Sequence, residues 1–184
     1  MTPRITPGDR RQIGIPAWLF AKAAGRVTGT GPPGIFTTLG RTRRLFWGWL
    51  LFAGGLMPGG TLPRRDTELV ILRVAHVRDC DYERTHHEGL GRRVGLTDTE
   101  IARVAEGSQA SGWTERQQVL LEAAEELLER RALSDATWTA LRAHLSERTC
   151  IEFLLLVGHY DMLATTLMTL GVVPDVPRGG VARR

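Results

Sequence analysis

Glu68, Cys80, Glu83 and His87 are the residues whose types and spacing can do chemistry. Glu68 falls in line with Ile71, Leu72 and Ala75 at i, i+3, i+4 and i+7, which sets a carboxylate on the apolar face of a helix. After a break at Arg78-Asp79, a second helix aligns Cys80, Glu83, His87, Leu90 and Val94 on one face and leaves Arg84, Glu88 and Arg92 facing outward. If the two helices pack as a hairpin, Glu68 meets the Cys80–Glu83–His87 row in an apolar cleft. Desolvation and mutual proximity there move pKa values toward neutrality, so such groups can exchange protons.

Each residue also has a plainer reading. Glu68 can be a structural ion-pair partner of Arg64, Arg65 or Arg73, and a lone helical His87 is more often a satisfied core residue than a catalyst. Cys80 gains thiolate character from the helix N-terminus, but Asp79, Asp81 and Glu83 oppose it with negative charge. Tyr82, His159 and Tyr160 carry groups suited to orienting a polar ligand, and Arg73 or Arg84 suit a substrate carboxylate. The set Cys80, Glu83, His86 and His87 lacks a second well-placed histidine on the same face, so no metal site is expected. Nothing in the sequence points to a bound cofactor.

The elements that must position these residues are all helical. Pro16 suits the start of a short helix to about Arg26, preceded by an irregular arm over residues 1–15. Ile35–Leu39 and Arg43–Gly54 read as apolar helical pieces, and Pro58-Gly59-Gly60 separates them from the central hairpin. Thr97 to Glu100 and Thr114 to Gln117 are capping boxes opening two further helices, the second running to Arg131. Ser134 and Ser146 can cap two more, the last extending to Leu170 and apolar around most of its circumference, as in a helix buried in a domain centre or between subunits. No segment has the period of a strand, so the expected fold class is all-α. The domains expected are an arm and short helix over residues 1–33, a helical domain over 34–173 and a flexible tail over 174–184.

Composition bounds the function. The 184 residues suffice for one domain with a real core. The net charge of +4 hides an asymmetry, since residues 1–65 hold ten Lys or Arg against the single acid Asp9, and the remainder hold more acids than bases. The basic charges are interleaved with Trp, Phe and Leu rather than continuous, which favours packing on an acidic surface over nucleic acid. The Leu45–Met57 run is too short to span a membrane and contains Gly48, Gly54 and Gly55, so a buried or oligomer-facing helix is expected. Two cysteines, Cys80 and Cys150, with no cleavable signal pattern, argue for a reducing, cytoplasmic setting.

Together these residues resemble the carboxymuconolactone decarboxylase and alkyl hydroperoxidase D-like superfamily from about Gly34 to Val173. The resemblance rests on Gly34-Ile-Phe-Thr-Thr-Leu and on Leu62-Pro-Arg-Arg-Asp-Thr-Glu-Leu-Val-Ile-Leu-Arg. It rests too on the Glu68, Cys80, Glu83, His87 spacing followed by Gly95-Leu-Thr-Asp-Thr-Glu, and on Leu156-Val-Gly-His-Tyr-Asp-Met with Leu170-Gly-Val. It implies an all-helical bundle assembling into homotrimers or homohexamers with its cleft near a subunit interface. The hydroperoxidase branch uses a Cys-x-x-Cys pair between the Glu and the His. Here Glu83 replaces the second cysteine, which removes the resolving thiol of an intramolecular dithiol cycle. The decarboxylase branch dispenses with the dithiol and works by acid–base groups. The expected protein is therefore an oligomeric enzyme performing decarboxylation, isomerisation or a related lyase step on a small carboxylated or carbonyl substrate. The alternatives are a thiol peroxidase using Cys80 and a non-catalytic scaffold.

Overall fold

A computed structural model describes residues 3–177, and these contain ten α-helices and no strand. The chain divides into two compact units, Met1–Phe52 with Thr166–Arg184, and Ala53–Thr165.

The first unit holds α1 (Arg10–Ile13), α2 (Ile15–Thr28), α3 (Gly34–Leu39) and most of α4 (Arg44–Leu56). The arm expected to be irregular contains α1, because Asp9 and Gln12 form a capping box: the Asp9 carboxylate accepts from the backbone N–H of Arg11 (2.8 Å) and Gln12 (2.9 Å), and the Gln12 side chain accepts from Asp9 N (3.0 Å). Ile13, Ala17 and Phe46 form its core, with Trp18, Phe20, Phe36, Leu39, Trp49 and Leu50 packed around them. Phe20 and Phe36 meet edge to face at 5.0 Å between ring centroids. Of α4 only Phe46 is buried, while Leu45 and Leu51 are 70% and 80% exposed, so the apolar run is not a core helix in the single chain. Asp175 accepts from the backbone N–H of Gly34 at 2.8 Å, and Pro177 bridges Thr30, so the start of the expected tail is tied down. Residues 178–184, the rest of that tail, lie outside the described residues.

The second unit is built around α5 (Arg64–Val77), which packs on α6 (Asp81–Arg93), α7 (Asp98–Val104) and α8 (Glu115–Arg130). The unit continues into α9 (Asp135–His144) and α10 (Glu147–Leu170). Every residue of α5 from Asp66 to Leu72 is buried, so it is a central helix rather than an amphipathic one. Leu69, Leu72, Leu96, Ile101, Val104 and Leu121 form one buried cluster, with Trp113 against it. Asp79 takes the left-handed backbone region (φ 52°) in the turn joining α5 to α6, a conformation that short polar Asp tolerates. Asp66 holds Arg116 (2.9 Å) and Arg78 holds Asp161 (2.5 Å), which fixes α8 and α10 on the central helix.

Both expected capping boxes are present, at Thr97–Glu100 and Thr114–Gln117, and Ser134 caps α9. Glu100 does more than cap: it also takes a salt bridge from Arg65 and a hydrogen bond from Gln117 (3.1 Å). Burial pushes its carboxyl up, but the Thr97 N–H, Arg65 and Gln117 outweigh that and hold it down at about 2. Thr97→Ala removes the hydroxyl that accepts from Glu100 N, and the expected loss of about 1 kcal/mol is read from urea unfolding.

The last helix is apolar but not enclosed. Phe153, Leu156, Val157, Leu163 and Ala164 are buried, whereas Ile151 and Met162 are 59% and 50% exposed and Leu155 is also open. Among the described residues, Glu147–Leu170 alone is long and apolar enough to cross a membrane by length and composition, and 44% of its most apolar window is buried in the fold.

Candidate functional site

The turn at Arg78–Cys80 folds α6 back on α5 and brings three of the four central residues into one row. His87 Nδ1 lies 2.6 Å from Glu68 Oε2, and His87 Nε2 lies 3.2 Å from Glu83 Oε2. Arg64, one turn before Glu68, donates from Nη2 to Glu68 Oε1 at 2.8 Å. The row thus reads Arg64–Glu68–His87–Glu83, alternating cation and carboxylate. It is almost closed off from solvent: Glu68 is 0%, Glu83 3% and His87 5% exposed, and only Arg64 has a partly exposed side chain.

That environment determines the charge on His87. Burial alone favours neutral imidazole, but the hydrogen bonds to Glu68 and Glu83, backed by their charges, prevail and raise its pKa to about 9. At neutral pH His87 is therefore an imidazolium donating from both nitrogens. Tyr160 stands edge-on to this ring at 5.1 Å, with its hydroxyl 4.0 Å from the Met57 sulfur. Burial, then the charges of Glu83 and Glu68, drive its phenol well above the ordinary range, so it remains an O–H. His159 packs on Tyr160 at 5.2 Å, and burial lowers its pKa, so it is the neutral imidazole beside that ring.

Two atoms of the row are left over. Glu83 Oε1 and Arg64 Nη1 are buried and make no hydrogen bond, one an acceptor and the other a donor.

Cys80 precedes α6 as its N-cap residue and is buried. Burial pushes its thiol pKa up, and the charge of Glu83 adds to this against the hydrogen bonds from the Glu83 and Tyr82 backbone. Cys80 is a protonated thiol at neutral pH, without the thiolate character a helix N-terminus alone would confer. Cys80 and Cys150 are both free and buried, with no disulfide between them.

The arginines expected to bind substrate are otherwise engaged. Arg73 binds Glu125 (2.7 Å) and the carbonyls of Val104 (2.9 Å) and Ala105 (3.2 Å), a structural clamp between α5 and the following helices. Arg84 pairs with Asp81 and, at 3.8 Å, with Asp79. Tyr82 is stacked on His86 at 4.4 Å. In the sequence Arg64 is visible only as one of three pairing options for Glu68. The usable signal is its i, i+4 spacing from an acid already placed on a buried face. Among the described residues no group of three or more His, Cys, Asp or Glu side chains is arranged to hold a metal ion.

Residues 43–126 match the profile of the carboxymuconolactone decarboxylase family. Among solved structures, the chain is similar to an uncharacterized peroxidase-related protein of Ralstonia eutropha JMP134 with an alkylhydroperoxidase AhpD core (TM-score 0.83, 17% identity, 94% of this chain and 92% of that one). It is similar also to an uncharacterized peroxidase-related protein of Silicibacter sp. TM1040 (TM-score 0.82, 14% identity, 100% and 99%). A third is a cysteine-to-alanine variant of the debrominase Bmp8 in complex with 2,3,4-tribromopyrrole (TM-score 0.78, 15% identity, 97% and 96%). At these identities the likeness is one of fold. Among curated proteins none matches.

Proposed function

We propose that the chain is a member of the carboxymuconolactone decarboxylase and alkylhydroperoxidase D-like superfamily, as the family match over residues 43–126 and the shared fold support, and that it is an acid–base enzyme performing a decarboxylation, isomerisation or related lyase step on a small carboxylated or carbonyl substrate. The observation that carries this reading is the doubly bonded imidazolium of His87 between two buried carboxylates.

Glu83 is the group that touches substrate in this scheme. Its Oε2 stays on His87 Nε2–H while Oε1, otherwise unpartnered, takes a proton from carbon or returns one. In an isomerisation the same carboxyl removes a proton from one carbon and delivers it to a neighbour. In a decarboxylation, the C–C bond breaks as CO2 leaves, its electron pair remains on the carbon as an enolate, and Glu83, a carboxylate at rest that takes up one proton from water as the substrate binds, passes that proton to the carbon. His87 stabilises the carboxylate left behind, and Glu68, fixed by Arg64, keeps the imidazolium charged and aligned. Arg64, with the exposed side chain of the row, marks the side of approach. The exposed Ile151, Leu155 and Met162 support a homo-oligomer, and the free buried thiols are compatible with a cytoplasmic location.

A second reading has Cys80 attack a hydroperoxide. The thiolate sulfur would form an S–O bond as the O–O bond breaks, the alcohol leaving with a proton from the row. Two equivalents of external thiol would then reduce the sulfenic acid, yielding a disulfide and water. The peroxidase-related descriptions of the structural relatives favour it, and the buried, protonated Cys80 opposes it.

The discriminating experiment measures CO2 release or solvent-deuterium incorporation with a carboxylated γ-lactone, and organic hydroperoxide consumption with dithiothreitol, for wild type and Cys80→Ser. The expected result is lactone turnover within about twofold of wild type in C80S, because a buried Ser replaces a thiol that does no proton work. Peroxide turnover abolished by C80S, with no lactone chemistry, would replace this reading with the thiol one. Absence of both activities would leave the scaffold.

A further inference from the structure

The first unit turns large apolar side chains outward. α2 buries Ala17, Ala21 and Gly25, one turn apart along its length, and exposes Ile15, Leu19 and Val27 on the opposite stripe. α4 buries only Phe46 and exposes Leu45, Trp47, Leu51 and Phe52. The Trp47 ring lies 6.4 Å from Phe20 of α2, so the open side of α4 borders α2. Helices that bury small residues and present aliphatics to solvent gain nothing from their own unit by doing so, and an apolar patch rimmed by charge marks a binding face.

The rim is basic. Arg10, Arg11, Arg26, Arg43 and Arg44 are exposed. Arg43 Nη2 donates to the Arg11 carbonyl at 3.1 Å, which gathers four of these arginines where α1 leads into α2 and α4 begins. Neither α2 nor α4 contains an acid. The acids among the described residues of this unit are Asp9 and Asp175, one capping α1 and the other accepting from Gly34 N–H.

Those charges choose among occupants. Nucleic acid phosphates would pair with the arginines but leave Leu19, Leu45 and Leu51 in water. A second copy meeting this face with its own would set arginine against arginine with no carboxylate between them. A bilayer with anionic headgroups suits both halves, placing the arginines at the phosphates, Trp47 at headgroup level and the aliphatics at the acyl boundary.

We propose that the outward face of α2 and α4 is a docking surface for an anionic lipid bilayer, on which the protein rests without crossing it. α2 has 14 residues and α4 has 13, both short of the roughly 20 that a span needs. The Glu68–His87–Glu83 row lies wholly in the second unit, so the docking surface stands or falls independently of the acid–base reading.

Vesicle flotation of the full chain tests this. Phosphatidylcholine vesicles containing about 30 mol% phosphatidylglycerol are compared with pure phosphatidylcholine, at about 0.1 M and about 0.5 M salt. Wild type is expected to partition onto the anionic vesicles at least about 10-fold more strongly than onto the neutral ones, and less strongly at high salt. Leu51→Glu is expected to weaken partition by about 10-fold or more, because it takes an apolar side chain from the acyl boundary and adds a negative charge. Arg10→Gln combined with Arg44→Gln is expected to weaken it by about 10- to 30-fold, about fivefold for each charge. All three side chains are exposed, so neither variant removes a core contact. Wild type that fails to float with anionic vesicles, or floats equally with neutral ones, overturns the proposal, as does either variant floating like wild type. Sedimentation velocity without lipid checks the other occupant. L51E is expected to sediment as wild type does, whereas a wild-type oligomer that L51E dissociates would assign this face to a second copy and overturn the proposal.

Discussion

Glu83→Gln lowers turnover by about 100- to 10,000-fold, the range lost with a well-placed general acid–base group, and leaves the fold in place. The amide oxygen can still accept from His87 Nε2 across the present 3.2 Å, so the helix hairpin keeps its contact. What it cannot do is take a proton from carbon and give it back. The pH profile separates this from a packing defect. In wild type, burial depresses His87 and the two carboxylates more than restore it, to about 9, so a rate that needs the imidazolium is constant at neutral pH and falls as pH rises through about 9. With Glu83 neutralised, one of those two supports is gone, and the residual activity falls at lower pH. Unchanged turnover in E83Q, or an alkaline limb that does not move, would remove Glu83 from the chemistry.

The hairpin is legible in the sequence because local rules decide it. Glu68 sits at a core-facing position, Glu83 and His87 are one turn apart, and Arg78-Asp79 interrupts the helical pattern, so the convergence of the three follows from periodicity and one turn. The capping boxes at Thr97 and Thr114 are legible for the same reason, and the one at Asp9 obeys the same rule with Gln12 as its partner. The choice among arginines is not local. Arg65 crosses to Glu100, 35 positions on, and Arg73 to Glu125, 52 positions on, and those tertiary pairings leave Arg64 for Glu68. Burial misleads in both directions. α5 has the pattern of one apolar face but is enclosed nearly all round, while α4 and α10, whose pattern suits either a core or a subunit-facing helix, expose Leu51, Ile151 and Met162. Neither period nor composition separates a helix enclosed in the core from one that leaves an apolar face exposed.

The largest effect on stability is expected at His87. Replacing it with Leu, close in volume and unable to ionise, leaves the Glu68 and Glu83 carboxylates buried without the cation between them. Glu68 keeps Arg64, but Glu83 keeps nothing, since its second oxygen has no hydrogen bond to fall back on. Breaking a buried ion pair by removing one partner costs about 3–5 kcal/mol. The pH dependence carries the signature. In wild type the His87 pKa stands above its unfolded value of 6.5, so the native state holds the proton more tightly than the unfolded chain does. The stabilisation is fully present below about pH 6.5 and is lost as pH rises through about 9, on the order of 3 kcal/mol across that window. His87→Leu should therefore lose the alkaline decline along with the stability. Urea unfolding of both proteins from pH 5 to pH 10 measures this directly. Parallel curves would mean that His87 is not the imidazolium between two carboxylates, and the proton-handling row would lose its central member.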